Sequence, residues 1–76
     1  MPARLKAIAR ALKESVPGSE VQRPKKGSSH WKAIGPDGKT YPIPAHNGLK
    51  TEIGDAYIRG LCTAFGLSIE EFKKRL

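Results

Sequence analysis

The run Lys25-Lys26-Gly27-Ser28-Ser29-His30-Trp31-Lys32 sets a histidine directly after a small hydroxyl-rich loop, with lysines on both sides. Free imidazole titrates near pH ~6.5, so a histidine can take or give a proton at neutral pH. Beside a phosphate, that is general-base or general-acid chemistry for phosphoryl transfer. RNA suits such a site, because its 2′-hydroxyl is a built-in nucleophile. The protein then supplies only proton transfer and charge stabilisation. DNA lacks that hydroxyl and would need a metal or a protein nucleophile.

Each neighbour of His30 has a role in this reading. Gly27 lets the backbone come close to a ligand. Ser28 and Ser29 add hydroxyls, and the amides of such a loop can hold a phosphate oxygen. Lys25, Lys26 and Lys32 suit flanking phosphates. A plain turn followed by a surface histidine is the simpler alternative for the same residues.

Other chemistries find fewer residues. His30 and His46 are the only two histidines and Cys62 the only cysteine, and no cluster has zinc-like spacing. No metal ligand and no cofactor is expected. The seven acids form no close pair near the loop, so a paired-carboxylate mechanism has no basis. Ser29 beside His30 in sequence does not imply hydroxyl-to-imidazole contact, and no Ser-His-acid order is visible.

The elements that must carry these residues are short. The chain has 76 residues, which reads as one domain spanning 1–76. A domain this small has a thin core and little room for a deep pocket, so chemistry is expected on an open face. Pro2 to Ser15 reads as a helix, with Leu5, Ile8, Ala9, Leu12 and Val16 forming an apolar stripe. Pro17-Gly18 stops it. Ser19–Arg23 reads as a weak strand and Pro24–Ser29 as a loop.

His30–Gly35 and Thr40–Pro44 read as strands joined by a Pro36-Asp37-Gly38 turn. Pro42 makes the second of these a short or edge strand. Trp31 then faces the helices as core while His30 faces solvent. Tyr41 and Tyr57 are expected at the core or its boundary.

Ala45–Lys50 reads as a connecting loop; His46 there could touch phosphate, and a loop role without chemistry is the simpler reading. A second helix is expected from about Glu52 to Phe65, with Ile53, Tyr57, Leu61 and Ala64 on its apolar face, Ile58 and Phe65 beside it, and Cys62 buried. Gly66 suits its C-terminal cap. Ser68 and Glu71 match a capping box that opens a short last helix, and Ile69 and Phe72 tuck it back onto the body. Helix, three antiparallel strands, helix and a final short helix make an α+β two-layer domain.

Charge names the partner class. Fourteen basic residues stand against seven acidic ones, a formal net of +7. Arg23, Lys25, Lys26, Lys32, Lys39 and Lys50 fall within one stretch whose only acid is Asp37. Such a balance points to polyanions, nucleic acid first. The basic residues do not all lie on one amphipathic helix, so a membrane surface is not the expected partner. No segment reads as a signal peptide or a membrane span, and a lone cysteine forms no internal disulfide; a cytoplasmic location is expected.

The stretches "GSSHWK", "GPDGK", "YPIPAH" and "RGLCTAFGLS" together resemble the HicA toxin family of toxin–antitoxin systems. The resemblance runs from the first helix to the last. It implies a double-stranded-RNA-binding-domain-like fold and an mRNA interferase, an endoribonuclease that blocks translation. It also implies a HicB-like antitoxin covering the active site, and it carries the family's functional histidine onto His30. One position departs from the pattern: Ser28 stands where the family commonly has glycine, and Gly27 lies one residue earlier. The reading from another class is a non-catalytic RNA-binding module, which the same fold would allow.

Overall fold

A computed structural model describes residues 2–25 and 30–76. Lys26, Gly27, Ser28 and Ser29, named above as phosphate ligands, lie outside the described residues.

The first helix, α1, spans Leu5–Ser15, and Leu5, Ile8, Ala11 and Leu12 are its buried residues. The expected stripe holds for Leu5, Ile8 and Leu12. Ala11 takes the place given to Ala9, which is only half-buried. The helix begins three residues later than Pro2 because Ala3–Arg4 is extended. This two-residue strand, β1, pairs antiparallel with β5 (Glu52–Ile53), Ala3 opposite Ile53 and Arg4 opposite Glu52. The Leu5 N–H then donates to the Thr51 carbonyl at 2.9 Å, which satisfies one of the donors that a helix start leaves without a partner.

The C-terminal end of α1 is closed by Ser19. Its buried hydroxyl lies 2.6 Å from the Val16 carbonyl and 3.1 Å from the Leu12 carbonyl. Gly18, at φ 90°, makes the reversal that brings Ser19 back.

Three strands follow: β2 (Glu20–Gln22), β3 (His30–Ile34) and β4 (Thr40–Pro44), in the order β2-β3-β4, all antiparallel. The β3–β4 hairpin turns through Pro36-Asp37-Gly38. Gly38 donates to the Gly35 carbonyl at 3.0 Å and Gly35 to the Lys39 carbonyl at 2.8 Å. With Gly38 at φ 88°, this is a type I turn closed by a left-handed residue. The Asp37 carboxylate also accepts from the Lys39 N–H at 3.2 Å.

Pro42 and Pro44 stand opposite Lys32 and His30 on the outer strand. Ladder bonds alternate along an antiparallel pair, so proline fits only where its missing N–H would have pointed away from β3.

After β4 the chain makes a 3-10 turn at Gly48–Lys50, within what the sequence reads as a plain loop. The second helix, α2, spans Asp55–Phe65 rather than starting at Glu52, because Glu52 and Ile53 are committed to β5. Its buried residues are Ile58, Leu61 and Cys62. Tyr57 is 45% exposed, not core: the buried face of α2 runs through Ile58 and Leu61, one position on from the stripe the sequence suggests.

Gly66 caps α2 at φ 67°, with the Leu67 N–H returning to the Cys62 carbonyl at 2.8 Å. The last helix, α3 (Ile69–Lys74), opens at Ser68, whose hydroxyl accepts from the Glu71 N–H at 3.4 Å, and it buries Phe72.

The result is a small α+β domain. Helix α1 packs on the β2 side of the sheet, α2 on the β4 side, and α3 against both helices. One apolar core lies between the layers, with Trp31, Ala33 and Ile43 from the sheet and Leu5, Ile8, Leu12, Ile58, Leu61 and Phe72 from the helices. Among the described residues no helix is long and apolar enough to cross a membrane.

Candidate active site

Strand β3 alternates strictly. His30 and Lys32 are exposed, and Trp31 and Ala33 are buried. Period-two geometry therefore puts His30 and Lys32 on the same open face of the sheet. Trp31, with only 6% exposure, anchors the strand from behind. The orientation inferred from the sequence is the one observed, and a base cannot stack on this tryptophan from the open face.

The neighbouring strand completes the site. Gln22 pairs with Lys32, and extending that register by two residues sets Pro24 beside His30. Proline has no N–H, so the ladder stops at Gln22 and the strands part at this end. The opening is a groove of about 140 Å³ lined by Gln22, Arg23, Pro24, Lys25, His30 and Lys32. Lys25, Lys32 and the His30 imidazole thus share one shallow concavity with Arg23 in its wall, and no acid lines it. An anion fits this lining, and an extended phosphate chain fits its open shape.

Arg23 has a second contact. Its guanidinium carbon lies 5.7 Å from the centre of the Trp31 ring, within cation–π range. The stacking holds the start of the loop against β3, which fixes the groove wall next to His30. The sequence counts Arg23 as a basic residue and does not mark Gln22 at all. The signal for Gln22 lies in strand parity, because the residue opposite Lys32 on β2 must share its face.

The other sequence candidates separate. Lys39 sits at the hairpin tip, 4.0 Å from Asp37. Lys50 belongs to the 3-10 turn, and His46 is exposed in the loop after β4. Cys62 is fully buried, and burial pushes its thiol up against a smaller opposing pull from Lys73, so it behaves as a small apolar side chain. Among the described residues no three His, Cys, Asp or Glu side chains group as a metal site.

A larger groove of about 430 Å³ lies between the chain ends, lined by Pro2, Ala3, Arg4, Ala7, Lys73 and Leu76. Among the described residues lining it no side chain is a proton-transfer group suited to neutral pH, and Lys73 there is held by Asp55 at 2.6 Å. Of these two grooves, the smaller one carries an imidazole. Compared with known proteins, the chain matches no family model, no curated protein and no solved structure.

Proposed function

We propose that the chain is a metal-independent endoribonuclease, an mRNA interferase of the HicA type with a double-stranded-RNA-binding-domain-like fold. It would act in the cytoplasm and be held in check by a HicB-like antitoxin. The observation that carries this reading is His30 exposed in a groove whose charged residues are all cations, Arg23, Lys25 and Lys32.

His30 takes the proton of a substrate 2′-hydroxyl. The freed oxygen attacks the adjacent phosphorus, and the bond from phosphorus to the 5′-oxygen breaks. The imidazolium so formed can return its proton to the leaving oxygen. Lys25 and Lys32 face the phosphate and offset the charge that builds on its oxygens. The products are a 2′,3′-cyclic phosphate and a 5′-hydroxyl.

A groove lined by cations and open to water also gives the inhibitor its chemistry. An antitoxin that blocks it should present carboxylates to Lys25, Lys32 and Arg23.

The test compares wild type with His30→Ala under a tight promoter, following growth and RNA integrity. Arrest and mRNA loss with wild type alone support the ribonuclease. Intact RNA with both chains, bound equally well, would make this a non-catalytic RNA-binding module. Only 5′-phosphate and 3′-hydroxyl ends would reject attack by the 2′-hydroxyl.

A further inference from the structure

A second set of cations lies on the helical layer. Lys6, Arg10 and Lys13 are exposed on α1 at i, i+4 and i+7, so they form one stripe about 10 Å long. Arg4 and Lys6 meet Lys50 and Leu49 of the 3-10 turn around one groove, and Arg4, Lys6 and Arg10 line another with Ala7.

Acids are close by without forming ion pairs with them. Glu52 is the register partner of Arg4, and Glu14 lies four residues beyond Arg10. Yet among the described residues the ion pairs join only Asp37, Asp55 and Glu71 to Lys39, Arg59, Lys73 and Lys74.

Trp31 links this ridge to the His30 groove. Arg23 lies over its ring, and a β-carbon added at Gly48 would touch its Cζ2 at 3.8 Å. The 3-10 turn of Gly48 packs on α1 and is tied to it by the Leu5–Thr51 bond. Cations thus stand on both sides of Trp31: Lys25, Lys32 and Arg23 at the His30 groove, and Lys50, Lys6 and Arg10 where the 3-10 turn meets α1.

We propose that this is one continuous track for single-stranded RNA, with the scissile phosphate at His30 and a flanking segment on the α1 ridge. The proposal rests on the ribonuclease reading for its substrate and adds the strand state and the second contact surface. A duplex is too stiff to follow the whole track: double-stranded DNA bends over about 150 base pairs, and the body the track turns round measures only 33 × 28 × 17 Å. A flexible single strand can make the turn. A lipid surface fits less well, since the apolar face of α1 is committed to the core and, among the described residues along the track, Leu49 is the one exposed large apolar side chain.

The test measures binding, not cleavage. A His30→Ala chain keeps RNA intact, and its affinity for a labelled single-stranded 20-mer is followed against salt, with and without Lys6→Gln/Arg10→Gln. Both side chains are exposed, and circular dichroism confirms folding. Two lost contacts should lower the log–log salt slope by about 1.4, a roughly sevenfold smaller loss of affinity between about 50 and 200 mM salt. A 20-base-pair RNA duplex should compete at least about tenfold more weakly than the single strand.

An unchanged slope, or a duplex that competes equally, would overturn the track. So would phosphatidylserine vesicles that lose binding on the double substitution while RNA does not. Because RNA stays whole, the slope result stands apart from whether His30 cleaves.

Discussion

Lys73 Nζ lies 2.6 Å from one oxygen of Asp55, and this pair ties the last helix to the first turn of α2. Arg59 holds the other oxygen at 2.7 Å. Hydrogen bonds from Lys73 first, and then Arg59, keep the Asp55 carboxyl well below the usual carboxylate range.

A depressed carboxyl contributes stability that is fully present above its ordinary pKa of about 3.9 and is lost as pH falls toward the folded value. Asp55→Asn should therefore lower Tm at pH 7, and the gap from wild type should close in acid. Thermal melts from neutral pH down to about pH 2 read this directly. A gap of constant size would mean that the carboxylate charge is not what joins α3 to α2.

His30→Ala should leave stability within about 0.5 kcal/mol of wild type, because the side chain is exposed. Urea unfolding checks this and lets any loss of cleavage be assigned to chemistry. Lys32→Ala should also fold, and it should lower the salt slope for single-stranded RNA by about 0.7.

Trp31→Ala should behave differently although it is adjacent in sequence. The ring is buried in the core, and truncating such a side chain costs about 3–5 kcal/mol. That approaches the whole stability of a small domain. Chemical denaturation should show a large fall in midpoint, with RNA binding lost through unfolding.

Gly60→Ala sets two effects against each other. Alanine in a helix is favoured over glycine by about 1 kcal/mol. Here a β-carbon would overlap the Tyr41 hydroxyl oxygen and lie 2.9 Å from its Cζ. The clash should win, so Gly60→Ala should destabilise, and adding Tyr41→Phe should recover part of the loss. Equal melting temperatures for Gly60→Ala and wild type would show that Tyr41 moves aside freely.

Ser19→Ala removes the hydroxyl that serves two carbonyls at the end of α1. Leaving buried carbonyls without that partner should cost about 1–3 kcal/mol. A double cycle with Gly18→Ala, which strains a positive φ, separates the lost hydrogen bond from the turn.

Much of the sheet can be read from local chemistry. Pro36-Asp37-Gly38 dictates a tight turn, and strict alternation from His30 to Ala33 decides which side faces water. Gly66 and Ser68 mark their helix boundaries by their own backbone needs. The β1–β5 pair cannot be read this way. Ala3 and Arg4 have the composition of a helix start, and only residues almost fifty positions away hold them extended. Tyr57 faces solvent for a related reason: losing Glu52 and Ile53 to β5 leaves α2 to bury Ile58, Leu61 and Cys62 instead. Groove residue Gln22 needed the strand register, which two short strands and an intervening loop do not reveal.

The two prolines of β4 limit how this protein can be held by another. At positions 42 and 44 the outer edge offers no amide hydrogens, so an incoming strand would find only part of a ladder there. Two copies meeting along that border would find the same gap, which disfavours their pairing there. A partner strand meets the same gap, so recognition of this protein through side chains in the groove is favoured over extension of the sheet at β4.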